Sequence, residues 1–258
     1  MYSTKRSVDL RRLYSLNPQM AAWKRPDHIP YPHVWHTFRA RDPTSKQLVT
    51  YRVQDLPPNR LNDAVDHMCK YFLRDEPICA SLNLTQDPVG VSEISSVWRS
   101  IAQQRCIVVC FQDGRDDIVG LNMLTVVSRN DPKPSVKFQS SAVQTFVDCT
   151  NYMTQKANLF ERYPQMDQFL SAWGLSVHPE FRGCGLSTEI LRARIPLCRA
   201  MGLRLSATVF SHAGSQIPAA KVGFRDVVVE RFADLAAKGF RFSVNVDSNK
   251  LMALEIEE

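Results

Sequence analysis

The chain has 258 residues, 44% of them hydrophobic and 22% charged, which is enough apolar content to bury a full core in one large domain or two small ones. Apolar runs such as Ile107 to Phe111 are far too short for a membrane-spanning helix, and no apolar stretch near the N-terminus reads as a signal peptide. The net charge is +6, yet residues 1–60 carry 11 basic and 4 acidic side chains while the other 198 carry 21 and 22. The basic character therefore belongs to an N-terminal extension, residues 1–46, ahead of a core domain, residues 47–258. Such an arm suits an anionic surface or is a solvated segment; no nucleic-acid partner is expected. Its prolines in "RPDHIPYPHVW" argue against regular structure, and Trp23, Tyr31, Trp35 and Phe38 are available to pack on the domain surface.

In chain order, "QLVTYRVQDL" (47–56) alternates Val49, Tyr51 and Val53 and predicts a strand. Pro57-Pro58 opens a helix whose apolar face is Leu61, Val65, Met68 and Phe72. It runs out at Arg74-Asp75-Glu76, because Pro77 disfavours helical geometry at Glu76. A short helix is expected near 91–103. "CIVVCFQ" (106–112) and "DIVGLNMLTVV" (117–127) read as a hairpin joined by "DGRD", followed by a loop over 129–136. Residues 140–160 predict a helix with Val143, Val147, Tyr152 and Leu159 toward the core. "FLSAWGLSVHP" (169–179) is a strand, and Leu186 to Met201 a helix that Pro196 kinks or shortens. Strands at 203–210, 225–232 and 240–246 close the pattern, with a loop and short helix over 211–224. The order predicts a mixed α/β sheet of about seven strands flanked by helices.

The seven cysteines form no CxxC pair, and the six histidines show no metal-ligand spacing. Reduced thiols, a cytoplasmic location and no metal are expected.

The densest signal is "LSVHPEFRGCGLS" (175–187). A strand runs into Arg182-Gly183-Cys184-Gly185 and then a helix begins. Two glycines let the backbone turn tightly and approach a ligand. A helix N-terminus offers unpaired N–H groups and positive partial charge, so this turn makes an anion pocket, most often for phosphate. It is not a P-loop, and the third glycine of a dinucleotide fingerprint is missing at Thr188. A plain strand-to-helix turn remains the alternative from the residues alone.

This stretch resembles motif A of the GNAT acetyltransferases, in which an apolar strand ends in Val-x-Pro and an aromatic residue, then Arg-Gly-x-Gly. Cys184 stands where a basic residue is common, and Ser187 where glycine or alanine is usual. "YFLRDEP" (71–77) looks like the F-x-x-D-E-P segment of insect arylalkylamine N-acetyltransferases, and "SHAGSQIPAAKVGF" (211–224) is similar to their two-serine stretch before Gly-Phe. The resemblance covers roughly residues 48 to 230. It implies a GNAT acyltransferase fold, acetyl-CoA as co-substrate, a small amine as acceptor and a monomer. Leu175, Ser176 and Val177 would face the pantetheine arm, and Arg182, Gly183, Cys184, Gly185, Leu186 and Ser187 would hold the pyrophosphate. Glu76 would be the general base, Ser211 and Ser215 would handle protons or bind substrate, and Asp75 and Pro77 would bind the substrate, Asp75 by attracting the cationic amine.

The chemistry needs such groups. An alkylammonium has a pKa of about 10 and must lose a proton before attack, and the departing thiolate, with a free pKa of about 8.5, must gain one. Many GNAT enzymes keep a tyrosine four residues before the glycine of Gly-Phe as the acid; here that position is Ala219. From the residues alone, Glu76 also suits an exposed helix end, Ser211 and Ser215 suit helix caps, and Trp98, Trp173 and Phe146 suit either core or an aromatic-amine pocket. Cys184, at a helix N-terminus beside Arg182, is expected to be a reactive thiol. The expected reaction is direct acetyl transfer to an arylalkylamine. The alternatives are a polyamine or agmatine acceptor, a longer acyl donor, a protein or nucleic-acid acceptor served by the basic arm, and a non-catalytic acyl-CoA binder.

Overall fold

A computed structural model describes residues 23–131 and 137–257. Residues 1–22 of the basic arm and residues 132–136 of the expected loop lie outside the described residues. Strands β1 (Val34–Arg41), β2 (Leu48–Asp55), β3 (Val108–Gln112), β4 (Gly120–Ser128), β5 (Gln168–Val177), β6 (Leu205–Phe210), β7 (Arg225–Arg231) and β8 (Ser248–Glu255) form one sheet in the order β1-β2-β3-β4-β5-β6-β8-β7. All neighbours are antiparallel except β5 and β6.

The sheet thus has eight strands rather than seven. β1 arises inside the segment expected as an extension: Val34, Trp35, Thr37 and Phe38 favour extended backbone, and Trp35 and Ala40 are buried. Residues 34–41 therefore belong to the sheet, and the prolines before them do not prevent it. Residues 240–246 form no strand. Their alternating Phe240, Phe242, Val244 and Val246 pack against helical residues Ile78, Phe232 and Leu235 instead of a neighbouring strand. The closing strand is β8, inserted between β6 and β7, with Leu251, Met252 and Ala253 buried.

Side chains alternate between the two faces of the sheet. Val109, Leu121 and Met123 meet a layer made by α1 (Leu61–His67), α2 (Pro77–Ser81), α3 (Pro88–Ile101) and α4 (Ser141–Ala157). Tyr51, Val53 and Leu124 meet α5 (Leu186–Arg192) and α6 (Arg194–Ala200) on the other face. The single helix expected over 186–201 breaks at Ala193. Pro196 then falls in the first turn of α6, where its missing N–H costs no helical bond. α7 (Ala213–Val222) follows β6, and α8 (Phe232–Ala237) follows β7.

Two local irregularities open the centre. α1 continues through a π-helical turn, Met68–Phe72, before its last turn, Leu73–Asp75. β5 carries a bulge, because Asn122 pairs with Leu175 while Leu124 pairs with Ala172. Parallel β5 and β6 pair at only one register position, Leu170 with Ser206. Beyond it they part, and a cleft lies between them.

Candidate active site

The cleft is a cavity of about 990 Å³ that runs from the Gly-rich turn, past the ends of β5 and β6, to the space between α3 and α4. Glu76, Ser211, Ser215, Asp75, Pro77 and Trp173 are among the residues that line it.

Pro77 puts Glu76 in the extended region, φ −71° and ψ 124°, at the junction of two helical segments. One carboxylate oxygen caps α2 by accepting the Cys79 N–H at 2.7 Å. The other accepts the Ser211 hydroxyl at 2.5 Å, across 135 residues of chain. Glu76 is therefore a helix cap and a cleft carboxylate at once. Ser211 reaches it because β6 ends at Phe210. Neither serine caps α7; that role falls to the His212 ring, which accepts the Gly214 N–H at 2.8 Å. Ser215 donates to the His212 carbonyl at 2.9 Å and stands in the first turn of α7.

Asp75 is not a free carboxylate. It is paired with Arg74 at 2.6 and 2.8 Å and with Arg182 at 2.5 Å. Hydrogen bonds from Arg74 hold its pKa below the usual carboxylate value, with Arg182 adding to the effect and partial burial opposing it. Arg182 also donates to the Val177 carbonyl at 3.1 Å. Its guanidinium thus latches the Gly-rich turn to the Asp75–Glu76 corner.

Gly183 and Gly185 adopt φ of +76° and +86°, and open space surrounds the position of an added Cβ at each. Gly183, Gly185 and Ser187 line the cavity at the start of α5. Leu186 lines it too, but its side chain is buried in the core. Cys184 departs from expectation. Its side chain packs on the apolar layer under β1 and joins Arg41, Asp42, Pro43 and Lys46 in a separate shallow depression.

Leu175, Ser176 and Val177 line the cleft at the end of β5. Ser176 is buried, with its hydroxyl 3.1 Å from Nε2 of His67. Sequence reasoning did not single out His67 or Tyr71, whose hydroxyl lies 2.9 Å from Nε2 of His178. They sit one turn apart, and only the fold brings them to the strand end. Trp98 is core: it is fully buried and donates to the Trp173 carbonyl at 2.9 Å. Trp173 and Phe146 are half-buried and line the cavity.

Burial, reinforced by His178, pulls the His67 pKa from 6.5 down to about 4. The ring is neutral in the folded protein at pH 7. As pH falls below 6.5 the unfolded chain takes up a proton that the folded chain refuses, so stability is lost between pH 6.5 and 4, by about 3 kcal/mol in total. Urea unfolding between pH 7 and 4.5 should show a shallower loss in His67→Gln than in the wild type; parallel profiles would remove His67 as the cause.

A mixed sheet that parts between two parallel strands, with a bulged strand leading into a Gly-rich turn and helix, defines a GNAT-type acyltransferase. The chain belongs to the insect arylalkylamine N-acetyltransferase family within that class. It is 44% identical to the protein named arylalkylamine N-acetyltransferase 7 of the yellow fever mosquito, over 91% of this chain and all of that one, with a TM-score of 0.88. Arylalkylamine N-acetyltransferase 2 of Aedes aegypti shares the fold at 20% identity, covering 80% of this chain and 99% of that one, with a TM-score of 0.72. A Drosophila melanogaster polyamine N-acetyltransferase that forms N-acetylagmatine shares it at 13% identity, covering 80% and 100%, with a TM-score of 0.68. No family model matches the chain. Among the described residues no helix is long and apolar enough to cross a membrane, and no cluster of three or more potential ligands could hold a metal ion.

Proposed function

We propose that the protein transfers acetyl from acetyl-CoA to the primary amine of a small arylalkylamine, with Glu76 as general base. The observation that carries this reading is the pair at the cleft floor: a carboxylate with one oxygen fixed by a helix N–H and the other on the Ser211 hydroxyl. Because Ser211 donates its proton to Glu76, its own lone pairs are left to accept from an ammonium group. Half-buried Trp173 and Phe146 supply apolar wall for an aryl ring. The Gly-rich turn fits the co-substrate's pyrophosphate: its glycines leave open space, and the first N–H groups of α5 have no helical acceptors.

Before attack the ammonium loses one proton, which Glu76 accepts and passes to solvent. The amine nitrogen then bonds the thioester carbon, and the carbonyl π electrons move to oxygen. When they return, the C–S bond breaks with its electron pair on sulfur. The second nitrogen proton ends on that sulfur, with Ser211 and water as the nearest relay. No tyrosine stands at Ala219 to serve as acid.

The test is thiol release from acetyl-CoA by the purified protein over dopamine, tyramine, serotonin, histamine, agmatine and spermidine. Turnover is expected on the arylalkylamines. Turnover confined to agmatine or spermidine would replace the acceptor. Binding of acetyl-CoA with no turnover on any amine would reduce the protein to a binder, and no binding at all would remove the reading.

A further inference from the structure

Arg194 is fully buried, and no carboxylate pairs with it among the described residues. Its Nε and Nη2 donate to Oδ1 of Asn122 at 2.9 and 2.7 Å, and Nη1 donates to the Ser206 hydroxyl at 3.2 Å. Its guanidinium lies 5.6 Å from the Phe224 ring centre. Asn122 and Ser206 are themselves fully buried, and Arg194 and Asn122 line the cleft. Burial pulls the Arg194 pKa from 12.5 to about 9, the mark of a cation without a compensating anion. An isolated buried charge is costly to hold.

Arg194 acts on the β5 bulge. An arginine has no acceptor, so Asn122 must turn its oxygen to Arg194 and its NH₂ the other way. That NH₂ donates to the Gly174 carbonyl at 2.7 Å. Trp98 holds the preceding carbonyl, that of Trp173. Gly174 sits at φ +127°, and a Cβ there would meet Met68 Cε at 2.6 Å and Phe72 Cε2 at 2.9 Å. The bulge is thus clamped by the π-helical turn on one face and by Arg194–Asn122 on the other. Since the carbonyl and N–H of a trans peptide point opposite ways, fixing the Gly174 carbonyl turns the Leu175 N–H away from Asn122.

We infer that Arg194 is a positioning residue for acyl transfer: through Asn122 it fixes the bulge at Trp173–Gly174, and its uncompensated charge lies behind the wall where the thioester oxygen becomes an oxyanion. The inference rests on the acyl-CoA reading above and adds a device to it. As the nitrogen–carbon bond forms, negative charge develops on the former carbonyl oxygen and disappears when the C–S bond breaks. A fixed cation in a buried wall favours that charge and needs no reorganisation.

Two variants and a spectrum test it. Arg194→Met keeps side-chain bulk without the charge. Asn122→Asp gives the guanidinium a carboxylate and takes the NH₂ from the Gly174 carbonyl. Both should keep a cooperative melting transition, bind acetyl-CoA with little change, and lose on the order of 10²-fold in kcat. In the wild type, the isotope-edited infrared stretch of bound acetyl-CoA labelled at the carbonyl carbon should lie below its solution value. In both variants it should return toward that value. An unchanged stretch in either folded variant, or a kcat within a few-fold of wild type, overturns the inference. A lowered wild-type stretch that the variants abolish, in a protein that uses none of the tested amines, keeps the inference and discards the arylalkylamine acceptor. Failure of the wild type to bind acetyl-CoA removes both.

Discussion

Replacing Asp55 with alanine is expected to lower the unfolding free energy by about 3–5 kcal/mol, read by urea denaturation. Asp55 is fully buried at the end of β2. One of its oxygens accepts from Arg25 and from the His33 N–H, each at 2.8 Å, and the other from the Trp35 indole at 2.7 Å. Arg25 is itself buried, donates to the carbonyls of Arg105 and Pro30 at 2.7 Å each, and lies near the rings of Tyr31 and Trp35. Without the carboxylate a guanidinium is stranded in the interior together with two orphaned donors. The cost follows from the stranded charge rather than from the worth of the pair, so changing both Arg25 and Asp55 to apolar residues should destabilise less than Asp55→Ala alone. A loss below about 1 kcal/mol in Asp55→Ala would mean that residues 23–35 do not anchor to the sheet in this way.

Glu76→Gln should reduce kcat by about 10²-fold or more with an unchanged melting temperature. Glutamine keeps an oxygen for the Cys79 N–H, so the α2 cap survives while the proton acceptor is lost. Glu76→Ala removes both, and should add about 0.5–2 kcal/mol of destabilisation to the same kinetic loss. The pair of variants separates the cap from the base. Near-wild-type turnover by Glu76→Gln would eliminate the carboxylate as base, whatever the alanine variant does.

The parts of this site that were legible in the sequence are local. The run from β5 into Arg182 and the glycines carries strand, turn and helix signals within a few residues. The break at Glu76 follows from Pro77 beside it. The geometry between those pieces was not legible, because it depends on contacts distant in the chain. Asp75 reads as a free carboxylate until Arg182 arrives from 107 residues away. Arg194, in "ILRARIPL", looks like the polar face of an ordinary helix, and only the packing of α6 under β4 and β6 shows that it is interior. The missed strands have separate causes. β1 hides behind prolines and basic residues. β8 hides because the alternation in 240–246 offers a more obvious strand, whose side chains turn out to serve α2 and α8.

The place of β8 has a consequence for synthesis. β6 and β7 leave the ribosome before it, yet each takes it as a neighbour, Phe210 to Leu205 along Lys250 to Glu255 on one side and Arg231 to Arg225 along Ser248 to Ala253 on the other. Until those residues emerge, β6 and β7 present unpaired edges, and the wall that carries Thr208 and the turn to Ser211 has no support on that side. The nascent protein therefore passes through a stage in which one half of the sheet can pair and the other must wait, open to association with other chains. The cleft becomes complete only after β8 has emerged, although the residues that define its other wall were made long before.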